Sequence, residues 1–168
     1  DQRMILRKVY SLAEAGESEK AGIEAKVLSE KFPSSINHLT LLGDVYSVNG
    51  NEQKALEVYN QILRKNPKTI PALRGLSWLH SRAETPNIRD GVKAVKLAEF
   101  LMKSPGANNN PDFNMIIGSA YKELGDENKS INYINKSYEL ALDQFALDVI
   151  RTLKKNFPDM IPKEKEES

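Results

Sequence analysis

Cysteine is absent from the 168 residues, so disulfide frameworks and thiolate metal sites are excluded, although an oxidising compartment is not. Histidine is scarce: His38 and His80 are the only two. No His-x-x-x-His, Walker-type or Gly-x-Gly-x-x-Gly pattern occurs. Without a nucleophile with its base, a ligand cluster or a phosphate cradle, no catalytic residue, metal or cofactor is expected. Glu164, Glu166 and Glu167 lie in a charged tail and read as solvated. No apolar run approaches the roughly 20 residues that span a bilayer, and no signal peptide opens the chain. Net charge is also lacking, with 24 basic against 23 acidic side chains. That balance gives no reason to expect nucleic acid or direct membrane insertion. Lys93, Lys96 and Lys103 fall near helical spacing and read as the wet face of an amphipathic helix, not as a basic stripe with stacking aromatics. The first residue is Asp1, not Met, which suggests a piece of a longer protein. A soluble chain is expected, compatible with bacterial cytoplasm or periplasm.

What is present is a period. Gly16 and Gly50 are 34 residues apart, as are Ala21 and Ala55, and Pro33 and Pro67. Each type has its own reason to recur. The glycine ends one helix, the alanine lets two helices approach closely, and the proline terminates the second helix. The step places units at Gln2, Ile36 and Ile70, and a fourth at Pro111, 41 residues after Ile70. The third unit therefore carries seven extra residues. Within units the apolar residues recur at helical spacing, as in Leu39, Leu42, Val45 and Tyr46, or Ala55, Leu56, Tyr59, Ile62 and Leu63. Helix starts carry plausible caps at Ser34 or Ser35, Asn51, Thr69, Asp90, Asn110 before Pro111, and Asp126.

These residues resemble the tetratricopeptide repeat (TPR) family. The second unit matches best, with Leu42-Gly43, Tyr46, Gly50, Ala55, Tyr59 and Pro67. The fourth keeps Ile117-Gly118, Tyr121, Gly125 and Ile134, with Ser130 in place of alanine. The third keeps Leu76-Ser77, His80, Ala94, Ala98 and Leu101. The first departs most, with Lys8-Val9 at the usual Leu-Gly step. The resemblance covers about residues 2–144 and implies an all-α solenoid of four helix-turn-helix repeats in a right-handed superhelix. One helical pair cannot bury its apolar face alone, so neighbours must stack. Phe145, Val149, Ile150 and Leu153 predict a capping helix over 145–156, which closes a domain spanning 1–157. Residues 158–168 are expected to form a disordered tail. The stretch Asp90-Gly91-Val92-Lys93-Ala94-Val95 resembles a helix opening of bacterial members.

Five of the extra residues fall between the two helices of the third unit, around Ser81–Asp90, and two in Ser104–Asn110. A lengthened surface loop costs little, about 0.6 kcal/mol per doubling. Alternatively, a loop on a rigid scaffold contacts a partner. His80 stands where other units have Tyr46 and Tyr121 and reads as a packing residue.

The resemblance further implies that first helices line a concave, partner-binding surface. Transferred by register, the candidates are Arg3 and Tyr10 from the first unit and Asn37, Thr40 and Asp44 from the second. Arg74, Trp78, Ser81 and Arg82 come from the third, and Met115, Ser119 and Lys122 from the fourth. Charges at the transferred positions balance, with Arg3, Arg74, Arg82 and Lys122 against Glu14, Asp44, Asp112 and Glu123. Members that clamp a chaperone's terminal carboxylate use lysine and asparagine where this chain has Leu6 and Tyr10, so that mode is disfavoured. Trp78, the sole tryptophan, is flanked one turn away by Arg74 and Arg82. Large planar side chains of this kind are common interface anchors; the alternative is that Trp78 packs within the superhelix or under the inserted loop. The function implied is a non-enzymatic scaffold or adaptor that captures another protein or peptide. The alternatives are self-association or docking within a larger envelope, secretion or polysaccharide-export protein, and regulation of an enzyme domain elsewhere.

Overall fold

The computed structural model describes residues 2–162. Helices α1 (Gln2–Glu14) and α2 (Ser18–Lys31) form the first antiparallel pair, and α3 (Ile36–Val48) and α4 (Glu52–Lys65) the second. The third pair is α5 (Ile70–Arg82) with α6 (Gly91–Leu101), and the fourth is α7 (Pro111–Leu124) with α8 (Glu127–Asp143). A last helix, α9 (Leu147–Asn156), follows. Several starts are chemically set. The side chains of Ser35, Asp90, Asn110 and Asp126 accept from the N–H three residues on, satisfying donors the helix leaves open. Asn51 and Thr69 stand at N-cap positions without a side-chain bond to the helix; the Thr69 hydroxyl instead donates to the Asn66 carbonyl at 2.9 Å.

Successive helices pack on one another, and the first helices of the later repeats also pack side by side, α3 on α5 and α5 on α7. The core is accordingly a series of adjoining clusters. Val9, Ala21 and Leu28 meet Leu42 and Val45 between the first two pairs. Tyr59, Ile62, Leu76 and Leu79 fill the next interval, and Leu101, Ile116 and Ile117 the one after. Each fully buried Leu or Ile contributes roughly 1.5–3 kcal/mol over its exposed state.

The inserted segment is neither a free loop nor a flap. Ala83 and Ile88 are buried in the second of these clusters. The Ile88 carbonyl lies 2.6 Å from His80 Nδ1. The Glu52 carboxylate, at the start of α4, accepts from the N–H groups of Glu84 and Thr85 at 2.7 and 2.9 Å. Beyond the loop, Gly91 sits so close to the end of α7 that a Cβ there would lie 2.8 Å from the Leu124 nitrogen.

The C-terminal segment corrects two expectations. Phe145 does not belong to the capping helix. It has a left-handed backbone, φ 54°, and its ring is 84 % exposed, so α9 starts at Leu147. The apolar stripe shifts toward the C-terminus instead, onto Val149, Ile150, Leu153 and Phe157. Residues 158–162, expected in the tail, include Met160 and Ile161, which pack against the same cluster. The physical reason is that the last repeat leaves Ile134 and Tyr138 in need of cover. Residues 163–168 lie outside the described residues.

Candidate protein-binding groove

Tyr59 organises the centre of the concave side. From α4 its ring passes between Gly43 of α3 and Gly75 of α5. A Cβ at either glycine would come within 2.6 and 2.4 Å of the ring, respectively. Only glycine leaves room for it. The hydroxyl emerges on the far side and donates to Asp44 Oδ1 at 2.6 Å. Arg74 donates to Asp44 Oδ2 at 3.2 Å and to Asp112 Oδ2 at 3.3 Å. One guanidinium thus bridges α3, α5 and α7. Burial pushes the Asp44 carboxyl above its ordinary value, against the pull of Arg74 and the Tyr59 hydroxyl. Burial alone would lower Arg74, but its two carboxylates outweigh that and raise it.

Two cavities flank this cluster, and Asp44 and Arg74 line both. The first, about 300 Å³, lies between α3, α5, α7 and α9, with Trp78, Met115 and Val149 among its walls. The second, about 560 Å³, lies between α1, α3, α5 and α7 and is lined by Tyr10, Asn37, Ile70 and Phe113. Beyond Trp78 the surface changes sign. Arg82 lies 5.1 Å from the Trp78 ring centroid and 5.4 Å from that of Phe157, and Lys122 lies 5.3 Å from Phe157. Arg82 also donates to Asn156 Oδ1 of α9 at 2.7 Å. Burial and the neighbouring Arg89 lower its pKa.

The twelve register-derived candidates separate on this geometry. Tyr10 and Asn37 are exposed at the second cavity. Asp44, Arg74, Trp78 and Met115 line the first, although Met115 is almost fully buried in the last core cluster. Arg82 and Lys122 form the basic edge. Thr40 also lines the second cavity, although it is largely buried and its hydroxyl donates to the Ile36 carbonyl of its own helix. Two candidates are corrected. Ser81 and Ser119 are buried and hydrogen-bonded to each other at 2.9 Å. They tie α5 to α7, because these two helices pack too closely there to leave the hydroxyls to a partner. Arg3 lies in α1, but its side chain is outside the described residues. Register transfer missed Phe113, Asp148 and Val149 as lining residues. Asp112 stands at a concave register position, but its placement opposite Asp44 across Arg74 has no local signal.

Among the described residues no group of three or more His, Asp or Glu side chains is placed to hold a metal ion. No described helix is long and apolar enough to cross a membrane. Stacked helix pairs around a concave groove define a helical-repeat solenoid. The profile described as "Tetratricopeptide repeat" matches residues 3–149, and the chain belongs to that family, which is in general a non-catalytic protein-interaction fold. Similar solved structures include TTC0263, a thermophilic TPR protein in Thermus thermophilus. It is 17% identical with a TM-score of 0.70, and 95% of each chain is covered. MamA residues 41 to end from Desulfovibrio magneticus RS-1 is 16% identical with a TM-score of 0.61, covering 95% of this chain and 92% of that one. At such identities the likeness concerns the fold. No curated protein sequence matches the chain.

Proposed function

We propose that the chain is a scaffold whose concave face captures a segment of another protein, in the half of the groove bounded by α1, α3, α5 and α7. The observation that carries this reading is the open cavity of about 560 Å³ at Tyr10, Asn37 and Phe113. Tyr10 is 56 % exposed, an aromatic held on a rigid helix at the rim of a preformed hollow. Pre-organisation of this kind lowers the entropy lost on binding, and aromatic anchors carry much of interface energy. The test is to select binders from a displayed library of random linear peptides and map the recovered peptides by amide chemical shifts. Shifts clustered on Tyr10, Asn37, Arg74 and Phe113 support the reading. Shifts confined to the outer faces of α2 and α4, or no binders at all, overturn it.

One observation favours a second reading, self-association or docking onto another domain. Phe145, Leu142 and Leu147 are exposed together at the α8–α9 turn. Light-scattering mass across a concentration series tests the first form of it. A concentration-independent monomer argues against self-association.

A further inference from the structure

The smaller cavity narrows what the captured segment carries. Its walls are mostly apolar, with Trp78, Met115 and Val149 facing the polar cluster of α3, α5 and α7. The charged side chains that line it are Asp44, Asp112, Asp148 and Arg74, three acids and one base. Arg74 is already engaged by Asp44 and Asp112, and Asp148 is met by the exposed Arg151 at 3.5 Å. With both carboxylates ionised, the Asp44–Arg74–Asp112 cluster keeps a net charge of −1 in a half-buried setting. An incoming carboxylate would find the lining arginine spent and two like charges beside it. An incoming ammonium or guanidinium would find carboxylate oxygens and an apolar channel for its stem. A space of about 300 Å³ takes one long side chain, whereas a whole helix is about 10–12 Å across. Burial, with the like charge of Asp112 beside it, holds the Asp44 carboxyl above its ordinary value in spite of Arg74, and an added cation would favour its ionised form.

Resting on the groove reading above, we infer that the partner segment presents a lysine or arginine flanked by apolar residues, its stem along Trp78 and Met115 and its cation facing Asp44 and Asp112. The Trp78 ring already carries Arg82 at 5.1 Å, so the stem and the carboxylates, not a second cation–π contact, supply the recognition.

The displayed random peptides that test the groove also test this, through their composition. The expected binders are enriched in a single basic residue between apolar ones. Synthetic copies shift the emission of Trp78, the only tryptophan, on titration. Replacing the basic residue by norleucine weakens binding about tenfold, as loss of a charge-assisted bond does. Asp112→Asn neutralises the cluster and makes the basic and norleucine peptides bind alike, with the variant's melting curve confirming that it folds. Asp44→Lys serves as a second variant and shifts selection toward acidic peptides. Binders enriched in acidic residues, or a basic preference that survives Asp112→Asn, overturn the inference while leaving the groove reading intact. Failure to recover any binder overturns both.

Discussion

The two halves of the concave face are built from the same repeat and treated differently. In the half between α1, α3 and α5, Tyr10 and Asn37 stand exposed beside an open hollow. In the other half α9 lies against the groove, with Asn156 bonded to Arg82 and Val149 beside Trp78. The tie between them is Arg74, held by Asp44 and Asp112. Register alone does not make a position available. Among the described residues α9 follows the fourth repeat and covers its apolar face, and in doing so it takes part of the groove with it.

The largest break in that contrast is expected from Phe157→Ala. Phe157 is 1 % exposed and anchors the half that α9 narrows, so chemical denaturation should show a loss of about 3–5 kcal/mol. Trp78 emission should move to the red as α9 loosens; a loss under about 1 kcal/mol would show α9 to be dispensable. At the divide, Gly75→Ala would press a Cβ to 2.4 Å from the Tyr59 ring and should cost about 1–3 kcal/mol. Gly22→Ala is its control. There the nearest atom would be an ordinary 3.5 Å away, and the substitution should be neutral or gain up to about 1 kcal/mol from helix propensity.

Glu52 clasps the inserted segment. Its slight burial acts upward, but the hydrogen bonds from Thr85 and Glu84 and the charge of Arg89 hold its carboxyl below the ordinary 4.5. A depressed carboxylate stabilises the fold above its unfolded pKa, and that contribution fades as pH falls from 4.5 through the lower folded value. Glu52→Gln should therefore flatten this part of the acid limb of a pH–stability curve, with about 1 kcal/mol or less at neutral pH for so exposed a group. Phe145→Gly should work in the opposite direction and stabilise by up to about 1 kcal/mol, since φ 54° strains a side chain and not glycine. Phe145→Ala keeps the strain and should show no such gain by the same melt. Smallest of all, Tyr10→Ala should change stability by no more than about 0.5 kcal/mol while reducing capture of peptides that map to the open half.

Much of the fold was legible because repeats write the same local physics several times. A glycine, an alanine and a proline recurring at 34 residues locate helix ends and close contacts without reference to any partner. The site was less legible. Ser81 and Ser119 occupy concave register positions, yet whether a small hydroxyl faces solvent or the neighbouring helix depends on how tightly that helix approaches. Phe145 extended an apolar stripe by spacing, but the chain turned through a left-handed residue before the helix began. By its length the inserted segment reads as a tolerated surface loop. Buried Ile88 and the Glu52 carboxylate, which lies more than thirty residues earlier in sequence, fasten it down.

By itself the sequence determined the repeat, its seven-residue interruption and the side-chain caps at Asp90, Asn110 and Asp126. All of these follow from interactions within one turn or one helical pair, which spacing records directly. The tertiary structure alone decided that Arg74 would be shared by Asp44 and Asp112, that Tyr59 would cross between Gly43 and Gly75, and that α9 would narrow one half of the groove to a pocket. These depend on helices far apart in sequence settling at one distance and angle. That balance of packing leaves no periodic mark, and it separates a mixed-charge list of residues into an acidic pocket, a basic edge and an open half.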